Sequence, residues 1–551
     1  MKNSFLAQIE QSFKNHWDLP ALSDYKGTTL HYKDVARRIA KLHILFEECG
    51  LKKGDKVAIC GRNQANWGVV FFSALTYGAV VVPILHEFKA DNIHHIVNHS
   101  EARILFVGDV VWESINEREM PKLEAIVLTA DFSIVHSSKP SIHAARERLN
   151  ELFGKKYPKN FRPEHIAYHN DEPEELAIIN YTSGTTGFSK GVMLPYRSLL
   201  SNLLFAQEAL PELTPGTTVV AMLPMAHMYG MMFEFIYEIV LGCHVHFLTR
   251  IPTPKIIMDA FAEIKPGLII SVPLIIEKIY KKQLQPLLRK TSIKMLLKLP
   301  VFDQKIKKKI LTSLNKVFGN NFQVIVVGGA AFNHEAEAFF KTIGFQYTIG
   351  YGMTECGPLI TYEDWKHIPL HSCGKVVARM QVKIDSPNPA EIPGEVLVKG
   401  DNVMIGYYRN EAATKDAFTK DGWMKTGDLA VIDQNGYLYI KGRSKNMILS
   451  SSGQNVYPEE LEEVINNMSY VSEALVVEKD GKLVALIYPD YEQINLDNIA
   501  DGDLARVMED IRVKVNAELP SYAQIASVKL YPEEFEKTPK RSIKRFLYQN
   551  I

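Results

Sequence analysis

The chain has 551 residues, 46% hydrophobic and 23% charged, with 63 Lys and Arg balancing 63 Asp and Glu. That length exceeds what one growing hydrophobic core serves, so two or more domains are expected, and the composition excludes a disordered or fibrous class. A balanced charge supplies no field for nucleic acid, and five cysteines without close pairing give no basis for a disulfide framework or a zinc site, which fits a reducing cytoplasm.

The opening segment MKNSFLAQIEQSFKNHW carries charges too frequently for a signal-peptide core. From about residue 28 to 85 a helix (YKDVARRIAKLHILFEECG), a strand (KVAICG), a helix and a strand alternate, which argues α/β layers. The uncharged run at 67–85 is long enough to span a bilayer. It reads instead as a buried helix, WGVVFFSALTY, capped by Gly78, then a core strand, AVVVPI, closed by Pro83. A soluble protein, peripheral to membrane at most, is expected.

Five later runs, LAIINY, TVVAMLP, HVHFL, GLIISVP and QVIVVGG, have the apolar texture of parallel strands buried on both faces. Ligands of such sheets sit at the carboxyl ends of strands. Directly after LAIIN comes YTSGTTGFSKG, where Thr182, Ser183, Thr185 and Thr186 stand among Gly184, Gly187 and Gly191 beside Lys190. Glycines admit close backbone approach, hydroxyls donate without charge and lysine adds a compact cation, which together make a phosphate cradle. Its spacing differs from a Walker loop, because Lys190 stands three residues after Gly187 and precedes a glycine.

LPMAHMYG sets His227 among apolar neighbours, where a satisfied core histidine and a catalytic one are both compatible with the pattern. Residues 277–316 hold twelve Lys or Arg against two acids, with Leu and Ile at helical spacing. A basic amphipathic helix on an anionic membrane surface and a plain solvated helical face both account for that pattern. VVGGAAF allows close backbone approach to a purine or close helix packing. GYGMTECGP brings Tyr351, a stacking candidate, next to Thr354 and Glu355, a hard oxygen ligand of the kind magnesium takes when it bridges phosphates.

After about Lys375, shorter alternating strands with glycine turns indicate an antiparallel β unit. Its turns carry GWMKTGD and IKGRSKN, in which Asp428 can accept two ribose hydroxyls and Arg443 can reach ribose or phosphate. The last hundred residues read as a small α+β domain beginning near Gly442, giving expected domains at 1–441 and 442–551.

With these motifs in order, the chain resembles the adenylate-forming superfamily of acyl-CoA synthetases, luciferases and peptide-synthetase adenylation domains. The likeness runs from TLHYKDVARRIA to KTPKRSIKR, and ILSSSGQNVYPEELE and GDNVMIGYYRNEAAT look most like bacterial long-chain fatty-acid–CoA ligases. The resemblance implies an α/β fold with a large N-terminal domain of mixed and parallel sheets flanked by helices plus a distorted β-barrel, and a smaller mobile C-terminal α+β domain. It implies ATP, magnesium and coenzyme A as the small molecules used, a fatty acid as substrate, and activation through acyl-AMP before attack by a thiol.

Residue by residue, the resemblance implies that Thr182, Ser183, Gly184, Thr185, Thr186 and Lys190 hold the departing phosphates. Glu355 coordinates magnesium and Thr354 touches the α-phosphate. Tyr351, with Gly352 and Met353, covers adenine opposite Gly329, Ala330 and Ala331. Asp428 binds ribose with Ile440 and Arg443 close by, His227 lies beside the substrate carboxylate, and Lys445 marks the hinge of a rotating C-terminal domain. The family's C-terminal lysine aligns with Ser542, so either Lys540 or Lys544 replaces it or adenylation runs slowly on the remaining groups. MYGMMFEFIYEIV suits an adaptable apolar pocket and favours an aliphatic acid over an amino acid. A carrier-protein thiol in place of coenzyme A, and a non-catalytic acyl-nucleotide-binding homologue, are the alternatives. Oligomeric state has no sequence signal.

Overall fold

The computed structural model of the protein describes residues 4–182, 189–210, 213–250, 252–280, 284, 300–449, 454–537 and 543–549. Among these, an eight-stranded and a nine-stranded sheet form the body, followed by a four-stranded sheet, a two-stranded ribbon and a terminal three-stranded sheet. In the first, Lys56–Cys60 pairs in parallel with Val80–Ile84 and Ala102–Val107. In the second, Thr218–Ala221, His244–Phe247, Leu268–Ser271, Val324–Gly328 and Tyr347–Gly352 are parallel. The strands are apolar on both faces because helices cover both.

Two expectations change here. LAIINY joins the eight-stranded sheet, apart from the other four runs, and Leu176–Thr182 turns back antiparallel into Lys190–Pro195 with Thr182 opposite Lys190. The two ends of the phosphate-loop stretch, Thr182 and Lys190, therefore lie side by side on antiparallel strands. Pro83 stands inside Val80–Ile84, opposite Ile59, and does not close the strand. The helix before it, Ala65–Tyr77, does end on Gly78 at φ 86, a left-handed conformation that a Cβ would disfavour.

The β unit is an open sheet and not the expected distorted barrel. Met380–Asp385, Gly394–Gly400, Met424–Ile432 and Leu438–Arg443 pair antiparallel in that order, and among the described residues the first and last do not pair. The outer edge is occupied instead: Cys373 N donates to Leu438 O and Leu438 N to Gly374 O, so a loop satisfies backbone that closure would have used. Farther on, the Val471–Lys479 and Lys482–Pro489 hairpin takes Ile525–Leu530 in parallel. Its own core gathers Leu461, Ile465, Ala474, Val476 and Met508, a cluster distinct from those of the body.

Residues 281–283 and 285–299 of the basic segment lie outside the described residues. In the helix Pro300–Val317, Ile310, Leu311, Leu314 and Val317 pack on a core cluster with Phe261 and Phe318, while Lys308, Lys309 and Lys316 are exposed. That apolar stripe is used by the protein itself. Among the described residues no helix is long and apolar enough to cross a membrane.

MYGMMFEFIYEIV is core rather than open pocket: Met228, Met231, Met232, Phe235 and Tyr237 are buried and only His227 and Tyr229 at its edge are partly exposed. Glu234, fully buried, accepts Met222 N at 3.2 Å and Leu223 N at 2.9 Å, which fastens the chain as it leaves Thr218–Ala221. Glu238 is equally buried, among the described residues neither of its oxygens has a hydrogen-bond partner, and burial pushes its carboxyl up to about 8. The folded chain thus holds a proton that the unfolded chain releases, so the stability Glu238 contributes is full below about 4.5 and is lost as pH rises from there to about 8. Each pH unit in that window removes up to about 1.4 kcal/mol. Glu238→Gln is expected to flatten the fall in denaturation midpoint between acid and pH 8, with Glu337, Glu462 and Glu463, each raised to about 7, leaving a residual slope. An unchanged slope would contradict a protonated Glu238.

Candidate active site

Two adjacent parallel strands present their carboxyl ends together, Gly328 opposite Gly350. Val324–Gly328 leads into the exposed loop of Gly329, Ala330 and Ala331, where Gly329 takes φ 88. Tyr347–Gly352 carries Tyr351 and Gly352 and runs through Met353 into the turn Thr354–Cys356. Gly352 is demanded sterically, since a Cβ would lie 2.2 Å from Pro358 O. Tyr229, two residues beyond His227, donates to Val326 O at 3.0 Å and closes the floor beneath these strand ends.

Asp428 arrives from the four-stranded sheet. Gly427 before it takes φ 74, which explains the glycine of KTGD, and Asp428 pairs across the sheet with Arg443. The carboxylate is 5% exposed and fully engaged: Tyr351 Oη donates to Oδ2 at 2.6 Å and Arg443 Nε to Oδ1 at 2.8 Å. Burial raises the Asp428 carboxyl above the ordinary aspartate range, and Arg443 works against that rise. Each oxygen still has a second lone pair, so the group can accept two vicinal hydroxyls while Tyr351 and Arg443 hold it. Ile440, half-buried, sits on the Arg443 strand opposite Ala430. Lys445 is exposed in the turn Ser444–Asn446 that follows.

A second group forms around Tyr407. Its ring lies under Lys190 Nζ, 4.8 Å from the centroid, and its hydroxyl donates to Glu355 Oε1 at 3.0 Å. The register explains the meeting, because Tyr407 pairs with Val192 two residues beyond Lys190, and Met404 N donates to Glu355 O. Sequence reasoning passed over Tyr407, since only strand pairing 215 positions away from Val192 distinguishes it from Tyr408. Among the described residues Glu355 Oε2 has no hydrogen-bond partner, which leaves one hard anionic oxygen for a magnesium ion. The donor chemistry fits that ion.

His227 caps the helix Met228–Met231, with Tyr229 N donating to its Nδ1 at 3.3 Å, and is half-buried. Asn180 Nδ2 donates to Ala226 O at 2.9 Å, so the strand that feeds the phosphate loop also fixes the His227 turn. Thr354 is buried directly beside Glu355. Thr182 and Lys190 frame the phosphate-loop stretch, whereas Ser183, Gly184, Thr185 and Thr186 lie outside the described residues, as do Lys540 and Ser542. Lys544 ion-pairs with Glu536 on its own segment.

The family models that match are an AMP-binding enzyme model over residues 9–408 and an AMP-binding enzyme C-terminal domain over 445–549. The long-chain-fatty-acid–CoA ligase FadD15 of Mycobacterium bovis is 28% identical over 95% of this chain and 91% of its own length. A long-chain-fatty-acid–CoA ligase of Escherichia coli is 29% identical over 86% of this chain and 82% of its own. ATP-bound MatB from Rhodopseudomonas palustris superposes with a TM-score of 0.78 at 21% identity, covering 100% of this chain and 99% of that one. The o-succinylbenzoate CoA synthetase of Bacillus subtilis with its acyl-adenylate intermediate superposes at 0.74 and 19% identity, covering 98% and 97%.

Proposed function

The chain belongs to the AMP-binding enzyme family, and on that premise we propose that it is an acid–thiol ligase for medium- to long-chain fatty acids. The fatty acid becomes acyl-AMP with release of pyrophosphate, and the thiol of coenzyme A then displaces AMP. The observation that carries this reading is one stretch, 351–355, whose Tyr351 donates to the Asp428 that Arg443 also holds and whose Glu355 accepts from the Tyr407 that lies under Lys190.

A carboxylate has no usable leaving group, so an oxygen of the acid attacks the α-phosphorus and the bond to pyrophosphate breaks. Charge gathers on phosphate oxygens in that step, and fixed positive and donor groups are the main source of acceleration. Lys190 and the 182–190 stretch meet the departing phosphates, and Tyr407 keeps Glu355 oriented. A magnesium ion held by Glu355 would neutralise phosphate oxygens. Thr354 donates to the α-phosphate, the 329–331 backbone and Tyr351 enclose the adenine, and Asp428 accepts the ribose hydroxyls. His227 lies against the acid.

In the second step the thiol sulfur bonds to the acyl carbon, AMP departs and the thiol proton is released. We assign the reorientation between steps to residues 442–551 turning about Lys445, with Lys540 or Lys544 supplying the cation that Ser542 lacks. Exchange of labelled pyrophosphate into ATP over a panel of acids tests the reading. Octanoate to palmitate should drive exchange, amino acids and aryl acids should not, and coenzyme A should then release AMP. ATP binding without exchange for any acid would defeat it, and AMP release by a carrier protein alone would replace the thiol.

A further inference from the structure

Away from the nucleotide site, the helix His334–Ile343 places His334 and Glu337 three residues apart on one face. The 367–374 loop brings His371 onto that face, its ring centroid 3.7 Å from that of His334. One ligand atom each from His334, Glu337 and His371 lies within 4.8 Å of the others. Glu337 is 1% exposed, yet its oxygens meet His371 N at 2.9 Å and His371 Nδ1 at 3.0 Å, so the carboxylate is directed at this cluster. A further carboxylate, outside that mutual cluster, reaches His334 from the carboxyl-terminal part of the chain. Glu463, on Pro458–Asn466, sets Oε1 3.1 Å from His334 Nδ1 and 2.8 Å from His334 N.

We propose that His334, Glu337 and His371 bind one zinc-like divalent cation, with Glu463 holding His334 in place and so fastening the helix Pro458–Asn466 to the body of the chain. Two imidazoles and one carboxylate, with a fourth position for water, are a donor set of a four-coordinate borderline cation, and magnesium, which takes oxygen ligands, is disfavoured. The surroundings add negative charge: Glu277 accepts from Asn333 N at 2.9 Å, and Glu460 stands on the same helix as Glu463. Lys441, paired with Glu460 at 3.0 Å, and Lys341 are the nearby cations. Both bonds from Glu463 cross between a helix of the body and a helix carried by the terminal core, so occupancy opposes any reorientation of that terminal part. Under the ligase reading above, on which this consequence rests, bound zinc holds the arrangement seen here and slows the half-reaction that needs the other.

The test is titration of the chelator-treated full chain with zinc sulfate in the absence of ATP and acid, read by calorimetry, with cobalt(II) as a spectroscopic substitute. One equivalent should bind, and cobalt should give the visible bands of a tetrahedral centre. His334→Ala, at a side chain 51% exposed and safe for folding, should weaken binding at least about tenfold. Glu463→Gln should weaken it several-fold. No stoichiometric binding by the wild type, or equal binding by His334→Ala, overturns the site. Equal binding by Glu463→Gln overturns the fastening. Because the titration needs no turnover, its failure leaves the ligase reading untouched, and failure of pyrophosphate exchange leaves the site untouched.

Discussion

Glu355→Gln should reduce ATP–pyrophosphate exchange about 100- to 1,000-fold while leaving the folded state intact. The substitution preserves shape, and an amide oxygen still accepts from Tyr407 Oη, so the 3.0 Å bond that orients the side chain survives. What disappears is the negative charge at the turn Thr354–Cys356 that would hold magnesium against the phosphates. Groups that stabilise developing charge in a preorganised site are each worth about 3–4 kcal/mol, which sets the expected size. Because the charge acts mainly in the transition state, the loss should fall on kcat more than on KM for ATP. Tyr407→Phe provides the contrast. It keeps the ring under Lys190 and removes only the hydroxyl, so a drop of about tenfold or less is expected. Loss of less than about threefold in Glu355→Gln would remove Glu355 from the role.

The fold was legible wherever an element is buried on all sides. Runs such as GLIISVP and QVIVVGG have one solution, a strand between two helical layers, and Gly78 can end a helix in only a few ways. Pairing was less legible because it is long-range. Nothing local in LAIINY says that it leaves the company of TVVAMLP, and nothing local shows that Val192 pairs with Asn180 on one side and with Tyr407 on the other. Closure of the β unit failed for the same reason: loop residues 373–374 capture the edge at Leu438, a competition that no strand propensity encodes.

The candidate site shows the same division. Motif residues that share a turn, Tyr351 with Thr354 and Glu355, stay together because sequence neighbours must. Tyr407 and Tyr229 were missed since each acts from another element, one by register and one by reaching Val326 O. The two acids within MYGMMFEFIYEIV serve the core: Glu234 fastens backbone amides and Glu238 is driven protonated by burial.

Asp428→Asn should raise KM for ATP by about 10- to 100-fold with a smaller effect on kcat. Ribose hydroxyls are gripped equally before and during phosphoryl transfer, and uniform binding of that kind appears in KM. Hydrogen bonds to a charged group are worth about 1.5–3 kcal/mol, so losing the charge while keeping the shape accounts for the range. The neighbours add to the cost. Arg443 Nε at 2.8 Å and Tyr351 Oη at 2.6 Å both donate to Asp428, and an amide presents donors of its own to one of them. The variant also carries a pH signature. Burial raises the Asp428 carboxyl, so the wild type should lose affinity for ATP as pH falls through a range above that of an ordinary aspartate. Asparagine does not titrate, and the acid limb of kcat/KM for ATP that belongs to Asp428 should vanish with it. An unchanged KM together with an unchanged acid limb would place the ribose elsewhere.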